Sequence, residues 1–303
     1  MKVIVTGASG VLGTAVFDAF AREAADHTVV GLANSRTGGE RNHRKLNLLD
    51  FDAVSTFIRE TKPDWVIHCA AERKPDAAEK DPEGTKKLNV DVPAHLATLA
   101  KELGYTLFFI STDYVFDGTS PPYVPSAEPN PVNFYGFTKR DAELAVLGVE
   151  GAQAAVLRVP VLYGPAPSNA ESAINILVDV VRDQSGKKYT MDHYQTRFPT
   201  NVLDIASFFV RLAKRPRSAR LPPVIHYSAE EPFTKYEICL VFARILDLPH
   251  EHIIPDVGPP PPGSVPRPRN TQLYLRETED LGVEGGLGTG GFEEWWTGYL
   301  RDN

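Results

Sequence analysis

Three side chains near the middle of the sequence have the chemistry and spacing to protonate a carbonyl oxygen. Tyr135 and Lys139 are four residues apart and therefore share one face of a helix. An ammonium beside a phenol favours the ionised phenol, so Lys139 is predicted to lower the pKa of Tyr135 from its usual value of about 10. Thr112 follows an apolar run and is expected to donate a hydrogen bond to the same oxygen. These three catalytic candidates predict the reduction of a ketone, in which Lys139 also holds a nicotinamide ribose.

A second group of residues, at the start of the chain, is typical of a nucleotide-binding turn. The apolar run Val3–Val5 leads into Gly7, Gly10 and Gly13, at the point where a helical pattern begins. Glycine at these positions permits a tight turn, the approach of a pyrophosphate to backbone N–H groups, and close packing of helix on strand. The predicted dinucleotide contacts in this turn are Gly7, Ser9, Gly10, Val11, Leu12 and Gly13.

The end of the second predicted strand indicates which dinucleotide is bound. Proteins of this fold that prefer NAD usually place a carboxylate there to hold the ribose 2′-hydroxyl. The segment Gly31–Arg36 contains no carboxylate, and Arg36 offers a planar cation suited to a phosphate. We therefore expect NADP(H), with Arg36 on the 2′-phosphate and Ser9 assisting.

Short β-branched runs alternate with longer amphipathic runs through the first half of the sequence. The predicted strands are Val3–Val5, Thr28–Leu32, Trp65–His68 and Leu107–Ile110, and the predicted helices are Val11–Ala24, Phe51–Thr61, Pro82–Leu103 and Tyr135–Leu147. This alternation predicts an α/β fold with a Rossmann-type, doubly wound parallel sheet. Residues 1–163 are predicted to form the NADP-binding domain, with later segments returning to the sheet. Residues 164–303 are predicted to be mainly a smaller, loop-rich substrate-binding region.

Composition excludes several other classes of protein. The net charge of −7 over 303 residues, without a run rich in Lys and Arg, argues against nucleic acid or an anionic membrane as the main partner. No apolar run is long enough to span a bilayer. The two cysteines are too few for a disulfide framework, which favours the cytoplasm. Because His68 and His193 have no partners at ligand spacing, no metal site is predicted.

Taken together, these motifs resemble the extended short-chain dehydrogenase/reductase family. Its fingerprint Thr-Gly-x-x-Gly-x-x-Gly begins here at Thr6, and its catalytic trio of Ser/Thr, Tyr and Lys is complete. The resemblance implies further coenzyme contacts around the adenine, at the end of the fourth strand, on a supporting helix and beside the nicotinamide. These contacts are Asn47, Leu48, Cys69, Ala70, Ala71, Asn89, Tyr135, Lys139, Arg158 and Pro160.

Two groups within this family are similar to the sequence. The segments Ser111–Gly118, Pro131–Gly136 and Arg267–Asn270 resemble dTDP-4-dehydrorhamnose reductases, which reduce a 4-keto sugar nucleotide. The segments His68–Asp76 and Met191–Thr200 are more similar to the regulatory β subunits of methionine adenosyltransferase. Thr112 is followed by Asp and Tyr, whereas sugar-nucleotide dehydratases have Thr-Asp-Glu, so dehydration is not expected.

The two groups imply different functions and partners. The first implies an NADPH-dependent reductase with a sugar nucleotide as substrate, and the second a non-catalytic NADP-binding subunit with a methionine adenosyltransferase catalytic subunit as partner. We place the reductase first, because the trio is intact and the sequence does not extend into the longer basic and aromatic tail of the regulatory subunits. A homodimer is common in the family. The predicted substrate contacts are Asp113, Arg197, Arg267 and Arg269.

Overall fold

A parallel sheet forms the centre of the computed structural model, which describes residues 1–23, 27–34, 43–216 and 220–302. The strands are β1 Lys2–Thr6, β2 Thr28–Ala33, β3 Arg44–Lys45, β4 Trp65–His68, β5 Thr106–Thr112, β6 Gln153–Val159, β7 Leu162–Tyr163, β8 Tyr189–Asp192, β9 Thr200–Asn201, β10 Val224–His226 and β11 Ile253–Asp256. The main sheet has the order β10-β6-β5-β4-β1-β2-β3, and every pairing in it is parallel. The order reverses beside β1, which is where folds of this type bind ligands.

Helices cover both faces of this sheet. The helices of the described chain, which include those of a separate core in its second half, are α1 Val11–Arg22, α2 Phe51–Thr61, α3 Pro75–Lys80, α4 Pro82–Lys86, α5 Val92–Leu103, α6 Phe134–Leu147, α7 Ile176–Arg182, α8 Val202–Ala213, α9 Lys235–Leu246, α10 Arg276–Glu279 and α11 Phe292–Asp302. Alternate residues of β1 enter different cores: Val3 and Val5 pack with α1 and α8, whereas Ile4 packs with α2, α5 and α6. The predicted doubly wound Rossmann-type sheet is therefore confirmed. Within the described ranges, no helix is both long and apolar enough to cross a membrane.

The second half of the chain has its own hydrophobic core. Tyr163, Ile238, Phe242 and Trp296 belong to a third buried cluster, formed between α7, α9 and α11. These helices make the region more regular than the predicted loop-rich one. Strand β10 returns from this half to pair with β6, as expected for later segments. The boundary at residue 163 stays a prediction.

The predicted helix Pro82–Leu103 is interrupted in its middle. Residues Lys87–Asp91 form a π-helical turn between α4 and α5, in which the N–H of Val92 bonds to the carbonyl of Lys87. Pro93, the second residue of α5, has no N–H to give to the carbonyl four residues earlier, which favours the wider turn. The turn contains buried Asn89.

Candidate active site

The glycine turn between β1 and α1 leaves the start of α1 open to an anion. Gly7 has φ +63°, and a Cβ on Gly13 would lie 2.1 Å from the Gly7 carbonyl oxygen, so both positions require glycine. A Cβ on Gly10 would meet only that oxygen, at 3.3 Å, and would otherwise project into open space. Gly10 is the N-cap of α1, and no described side chain caps this end or places an acid in its first turn. Uncapped N–H groups at a helix start suit a phosphate.

The other predicted coenzyme residues lie on both sides of this turn. The backbone of Cys69 and Ala70 passes beside Gly7, and the N–H of Cys69 donates to the Thr6 carbonyl at 3.3 Å. Asn47 is exposed and accepts a bond from the N–H of Leu49, whereas Leu48 is buried in the core. Half-buried Ser9, Val11 and Ala71 and buried Leu12 complete the set. Arg36 lies outside the described residues, and these coenzyme contacts stay predictions.

Asn89 connects the π-helical turn to the helix that carries Tyr135. Its side chain accepts from the N–H of Glu72 at 2.8 Å and donates to the carbonyl of the same residue at 2.9 Å. It also donates to Thr138 Oγ1 at 3.2 Å, and that hydroxyl donates to the Tyr135 carbonyl at 2.8 Å. Asn89 is thus placed as a support for α6.

Helix α6, which carries Tyr135, packs against β5, which ends at Thr112. Asn133 caps α6 by accepting from the N–H of Gly136 at 2.9 Å, which places Tyr135 in the first turn. Burial raises the pKa of the Tyr135 phenol, and a hydrogen bond with Thr112 opposes this effect. The N–H of Tyr114 donates to Thr112 Oγ1 at 3.1 Å and fixes that hydroxyl in place. The phenol therefore stays protonated at neutral pH, as a proton donor must.

Lys139 is directed into the sheet rather than at the phenol. Its Nζ donates to the Ile110 carbonyl at 2.7 Å and lies 4.0 Å from the centre of the Phe109 ring. Burial lowers the pKa of Lys139 to about 7, while Glu143 acts to raise it. The prediction that Lys139 lowers the pKa of Tyr135 is wrong in this structure, because the burial of the phenol outweighs the other effects on it.

The buried ammonium makes stability depend on pH in a defined direction. Between pH 7 and 10.5 the unfolded chain keeps a proton on Lys139 that the folded chain has released, so folding stability rises with pH in this window. We expect the wild-type free energy of unfolding to gain on the order of 2 kcal/mol from this group between pH 7 and 9. Urea titrations at both pH values check it.

Comparison of two lysine variants separates this effect from other titrations. Lys139→Met should abolish the gain, whereas Lys86→Met, which changes an exposed lysine, should retain it. An equal rise with pH in the Lys139→Met protein would contradict the assignment.

Arg158 belongs to a buried ion pair. Its Nη2 lies 2.6 Å from Glu143 Oε2, and the two side chains are 3% and 4% exposed. Its Nη1 donates to the Pro125 carbonyl at 3.1 Å, and Ser111 donates to the same Glu143 carboxylate. The structure thus places Arg158 in a structural network beneath α6. Its predicted contact with the nicotinamide, and that of buried Pro160, stay predictions.

Asp113 is buried and bonded on both carboxylate oxygens. Thr112 Oγ1 donates to Oδ1 at 3.1 Å, and Thr271 donates to Oδ2. Burial raises the pKa of Asp113 to about 6, against the lowering effects of Thr271 and of the Arg197 charge. Asp113 is 2% exposed, so its carboxylate has little contact with solvent. A direct substrate contact stays a prediction.

The segment Pro266–Thr271, here called the crossing segment, joins the two halves of the molecule. On the sheet side, its Arg267 pairs with Asp76 at 2.6 Å, and the Pro266 carbonyl accepts from Asn133 Nδ2 at 2.9 Å. On the other side, the Pro268 carbonyl accepts from Arg197 Nη1 at 3.0 Å. Asn133 is the N-cap of α6, so the crossing segment is bonded directly to the helix that carries Tyr135.

The three arginines predicted to contact the substrate differ in burial and in the partners of their guanidinium groups. Arg197 is buried, bonds to Gln195 Oε1 at 2.6 Å and lies 5.5 Å from the centre of the Tyr114 ring. Arg267 is held by Asp76, and exposed Arg269 lies 4.8 Å from the centre of the Tyr194 ring. Their contacts with a substrate stay predictions.

Lys235 is a cation near these arginines that the sequence interpretation missed. It is the first residue of α9, after the N-cap Thr234. Burial lowers its pKa, and the nearby charges of Arg197 and Arg267 add to that lowering. A lysine at a helix start opposes the helix dipole, and that was the signal available in the sequence. Arg197, Lys235 and Arg267, called the cation cluster below, suit an anionic ligand.

The two histidines considered above as metal ligands each lie beside a hydroxyl group. His68 Nδ1 lies 2.7 Å from Thr6 Oγ1, and His193 Nδ1 lies 2.8 Å from Thr234 Oγ1. Among the residues that the structure describes, no group of three or more His, Cys, Asp or Glu side chains could hold a metal ion.

Comparison with known proteins identifies the family of the chain. Residues 1–285 match the model of the RmlD substrate binding domain family. The chain belongs to this family. Methionine adenosyltransferase 2 subunit beta of Xenopus tropicalis is 45% identical to it over 93% of this chain and 83% of that protein. The dTDP-4-dehydrorhamnose reductase of Streptomyces griseus is 32% identical over 74% of this chain and 69% of that protein.

The RmlD family fold is also found in solved structures. The dTDP-4-dehydrorhamnose reductase of Bacillus anthracis, solved in complex with NADP, has a TM-score of 0.82 at 22% identity, covering 100% of this chain and 98% of that one. The predicted resemblance to extended short-chain dehydrogenases/reductases, and to both groups within them, is therefore confirmed.

Proposed function

We propose that this RmlD-family chain binds NADP(H) and reduces the 4-keto group of a sugar nucleotide. The observation that carries the proposal is the position of Tyr135 in the first turn of α6, with its ring centre 6.2 Å from that of Tyr114, whose N–H donates to Thr112 Oγ1 at the end of β5. The uncapped start of α1 opens at the same edge of the sheet, after β1. A proton donor and a phosphate site on one sheet edge are what a nicotinamide-dependent reductase requires.

The residues around the glycine turn fit the coenzyme. Backbone N–H groups from Gly10 to Gly13 would hold its pyrophosphate, Cys69–Ala71 would line its middle, and Lys139 would bond its nicotinamide ribose. Arg36 would bind the 2′-phosphate and select NADP(H) over NAD(H). When bound, NADPH supplies the hydride for the substrate carbon.

The chain's own residues then handle the proton. Tyr135 gives its phenolic proton to the substrate oxygen, and its raised pKa keeps that proton available at neutral pH. Asn89 and Asn133 hold the first turn of α6, so the phenol keeps its position.

The cation cluster supports a phosphate-bearing substrate. Burial lowers the pKa of Lys235 and the charges of Arg197 and Arg267 lower it further, in a chain whose net charge is −7. Cations that lie close together repel one another and lower the stability of the folded chain. The negative charge of a bound diphosphate would offset that loss of stability. Tyr114 lies between this cluster and Tyr135, with ring centres of the two tyrosines 6.2 Å apart. The cluster and the phenol therefore suit the two ends of one sugar nucleotide.

A coenzyme-binding and turnover assay tests the proposal. NADPH affinity is measured by calorimetry, and turnover by loss of reduced-nicotinamide absorbance with a dTDP-4-keto sugar. Gly10→Val should fold normally yet lose NADPH binding, because the added side chain projects into the space that the pyrophosphate needs. Wild-type protein that binds neither NADPH nor NADH would overturn the proposal.

A second function is favoured by one comparison. The 45% identity with a methionine adenosyltransferase 2 subunit beta over 93% of the chain favours a non-catalytic, NADP-binding regulatory subunit in S-adenosylmethionine biosynthesis. Purified chain would be mixed with a methionine adenosyltransferase catalytic subunit and the complex detected by size-exclusion chromatography. NADPH binding and complex formation, without turnover of any sugar nucleotide, would favour this role over the reductase.

We also propose a cytoplasmic homodimer. Helix α6 exposes Phe137, Leu144 and Leu147, with Leu144 64% exposed, and these positions share one side of the helix. An apolar strip of this kind on a surface helix suits contact with a second copy. Light scattering that gives the mass of a single chain at micromolar concentration would exclude the dimer.

A further inference from the structure

The segment Glu72–Asp76 reaches from the sheet to the second half of the molecule at two points. Arg73 Nη2 donates to the Glu171 carbonyl, and Asp76 Oδ2 lies 2.6 Å from Arg267 Nη2 in the crossing segment. The residues of these two contacts are 98 and 191 positions apart in the sequence. The side chain of Asp76 is 61% exposed and that of Arg267 is 28% exposed. An ion pair this open to water stabilises a fold only weakly, so another anion can replace the carboxylate.

The backbone that carries Asp76 is held firmly in place. Asn89 accepts from the N–H of Glu72 at 2.8 Å and donates to the carbonyl of the same residue at 2.9 Å. Glu79, three residues beyond Asp76 on α3, accepts from the N–H of the first residue of α6 at 3.1 Å. The Asp76 carboxylate therefore stays within reach of Arg267 whether or not the ion pair is formed. This attachment gives the carboxylate a high effective concentration at Arg267.

Arg267 is joined to the other members of the cation cluster by hydrogen bonds. Gln195 accepts from Arg197 Nη2 at 2.6 Å, and its Nε2 donates to the Arg267 carbonyl at 3.5 Å. The other bonds of the Arg197 guanidinium go to backbone carbonyls. The backbones of Arg197 and Phe233 exchange two hydrogen bonds, at 2.7 and 2.8 Å, two residues before Lys235. Among the residues that the structure describes, the Lys235 ammonium has no hydrogen-bond or ion-pair partner, so it is available to a ligand.

We propose that the Asp76 carboxylate competes with the phosphate groups of a ligand for Arg267, and thereby selects ligands that carry two adjacent negative charges. This role rests on the proposed function, because it takes the cation cluster as the site of a diphosphate. An anion with a single charge gains from Arg267 no more than Asp76 already supplies. A diphosphate can contact Arg267 and the Lys235 ammonium together, and so gains a second charge-assisted contact. Its binding then releases Asp76 to solvent.

Calorimetry with inorganic pyrophosphate tests the competition. At about 0.15 M ionic strength, exposed charges more than about 8 Å apart are largely screened. Every protein in this test carries Gly10→Val, which blocks the other phosphate site at the start of α1. Asp76→Asn removes the competing charge, so pyrophosphate should bind about threefold to fivefold more tightly. Asp141→Asn removes an exposed carboxylate that pairs with Arg140 at 2.7 Å, and should leave the affinity unchanged.

The direction of the change in affinity decides between competition and a purely structural role of the ion pair. If the pair only holds the crossing segment in place, Asp76→Asn should bind pyrophosphate more weakly. Equal or weaker binding would overturn the proposal, as would the absence of pyrophosphate binding to either protein.

The Arg267→Met protein separates competition for one cation from general repulsion. Arg267→Met alone should weaken pyrophosphate binding. Asp76→Asn should have no further effect in this protein, because the carboxylate then has no guanidinium to occupy. A gain in affinity that persists in the double variant would show that Asp76 acts through its charge on the whole cluster, and would refute the competition.

Turnover by proteins with Gly10 intact distinguishes this role from the reductase function. Asp76→Asn should lower KM for the dTDP-4-keto sugar and leave kcat unchanged, because the competition affects binding alone. A chain that turns over no sugar nucleotide, yet binds pyrophosphate more tightly as Asp76→Asn, would lose the reductase function and keep the competition. A chain that reduces the sugar nucleotide with the same KM in both proteins would keep the reductase function and lose the competition.

Discussion

Replacing Tyr135 by Phe is expected to lower turnover by about 10²- to 10⁴-fold, which is the usual contribution of a positioned general acid. The ring remains, so its packing against Tyr114 is kept and only the hydroxyl is lost. NADPH affinity should stay within about threefold of the wild type, because the phosphate site at the start of α1 is unchanged. Stopped-flow measurement of NADPH oxidation and calorimetry of NADPH binding give the two numbers.

The control for this prediction is Tyr274→Phe. Tyr274 is 39% exposed and belongs to the surface, so removal of its hydroxyl should leave both turnover and NADPH affinity unchanged. If Tyr135→Phe turned over at the wild-type rate, another group would have to supply the proton, and the role given to the phenol would be wrong.

Replacing Glu143 by Ala is expected to destabilise the fold by about 3–5 kcal/mol, which is the range for removing one partner of a buried ion pair. The substitution leaves the Arg158 guanidinium, 3% exposed, without its carboxylate, and Ser111 loses the group to which it donates. Urea unfolding at pH 7 measures the loss. Because Glu143 lies on α6 one turn beyond Lys139, the variant should also lose NADPH affinity at temperatures where it remains folded.

A surface ion pair provides the matched comparison. Glu102 pairs with Arg59 at the same 2.6 Å distance, but the two side chains are 46% and 52% exposed. Glu102→Ala should therefore cost no more than about 1 kcal/mol. If the two variants lost similar stability, burial would not explain the destabilisation of Glu143→Ala. The ion pair of Arg158 would then contribute no more to stability than a surface pair.

The elements that carry the site could be predicted from the sequence because their signals are local. The glycines at 7, 10 and 13 and the spacing of Tyr135 and Lys139 depend on residues close in the chain. The structure places the glycines in the turn and first residues that lead into α1, and the other two residues on α6, as expected. The alternation of strands and helices likewise predicted the parallel sheet. The π-helical turn at Asn89 was not predicted, because it arises from Pro93 within a segment that otherwise has a helical pattern.

The directions of individual side chains could not be predicted from the sequence. Tyr135 and Lys139 share a helix face, yet the ammonium bonds to the Ile110 carbonyl, whereas the phenol ring packs against Tyr114. Arg158 was predicted to contact the coenzyme and Asp113 the substrate. In the structure both side chains bond to other residues of the protein. These contacts join residues far apart in the chain, such as Asp113 and Thr271, and no local pattern encodes them.

The double attachment of the crossing segment restricts how this part of the chain can vary in evolution. Its carbonyls and side chains meet partners on opposite sides within six residues, so one inserted or deleted residue would misalign one side or the other. The exposed prolines from 259 to 262 just before it have no such double attachment among the contacts described above, and a loop of that kind tolerates changes in length. Natural length differences in this region should therefore accumulate before residue 266 and stop there.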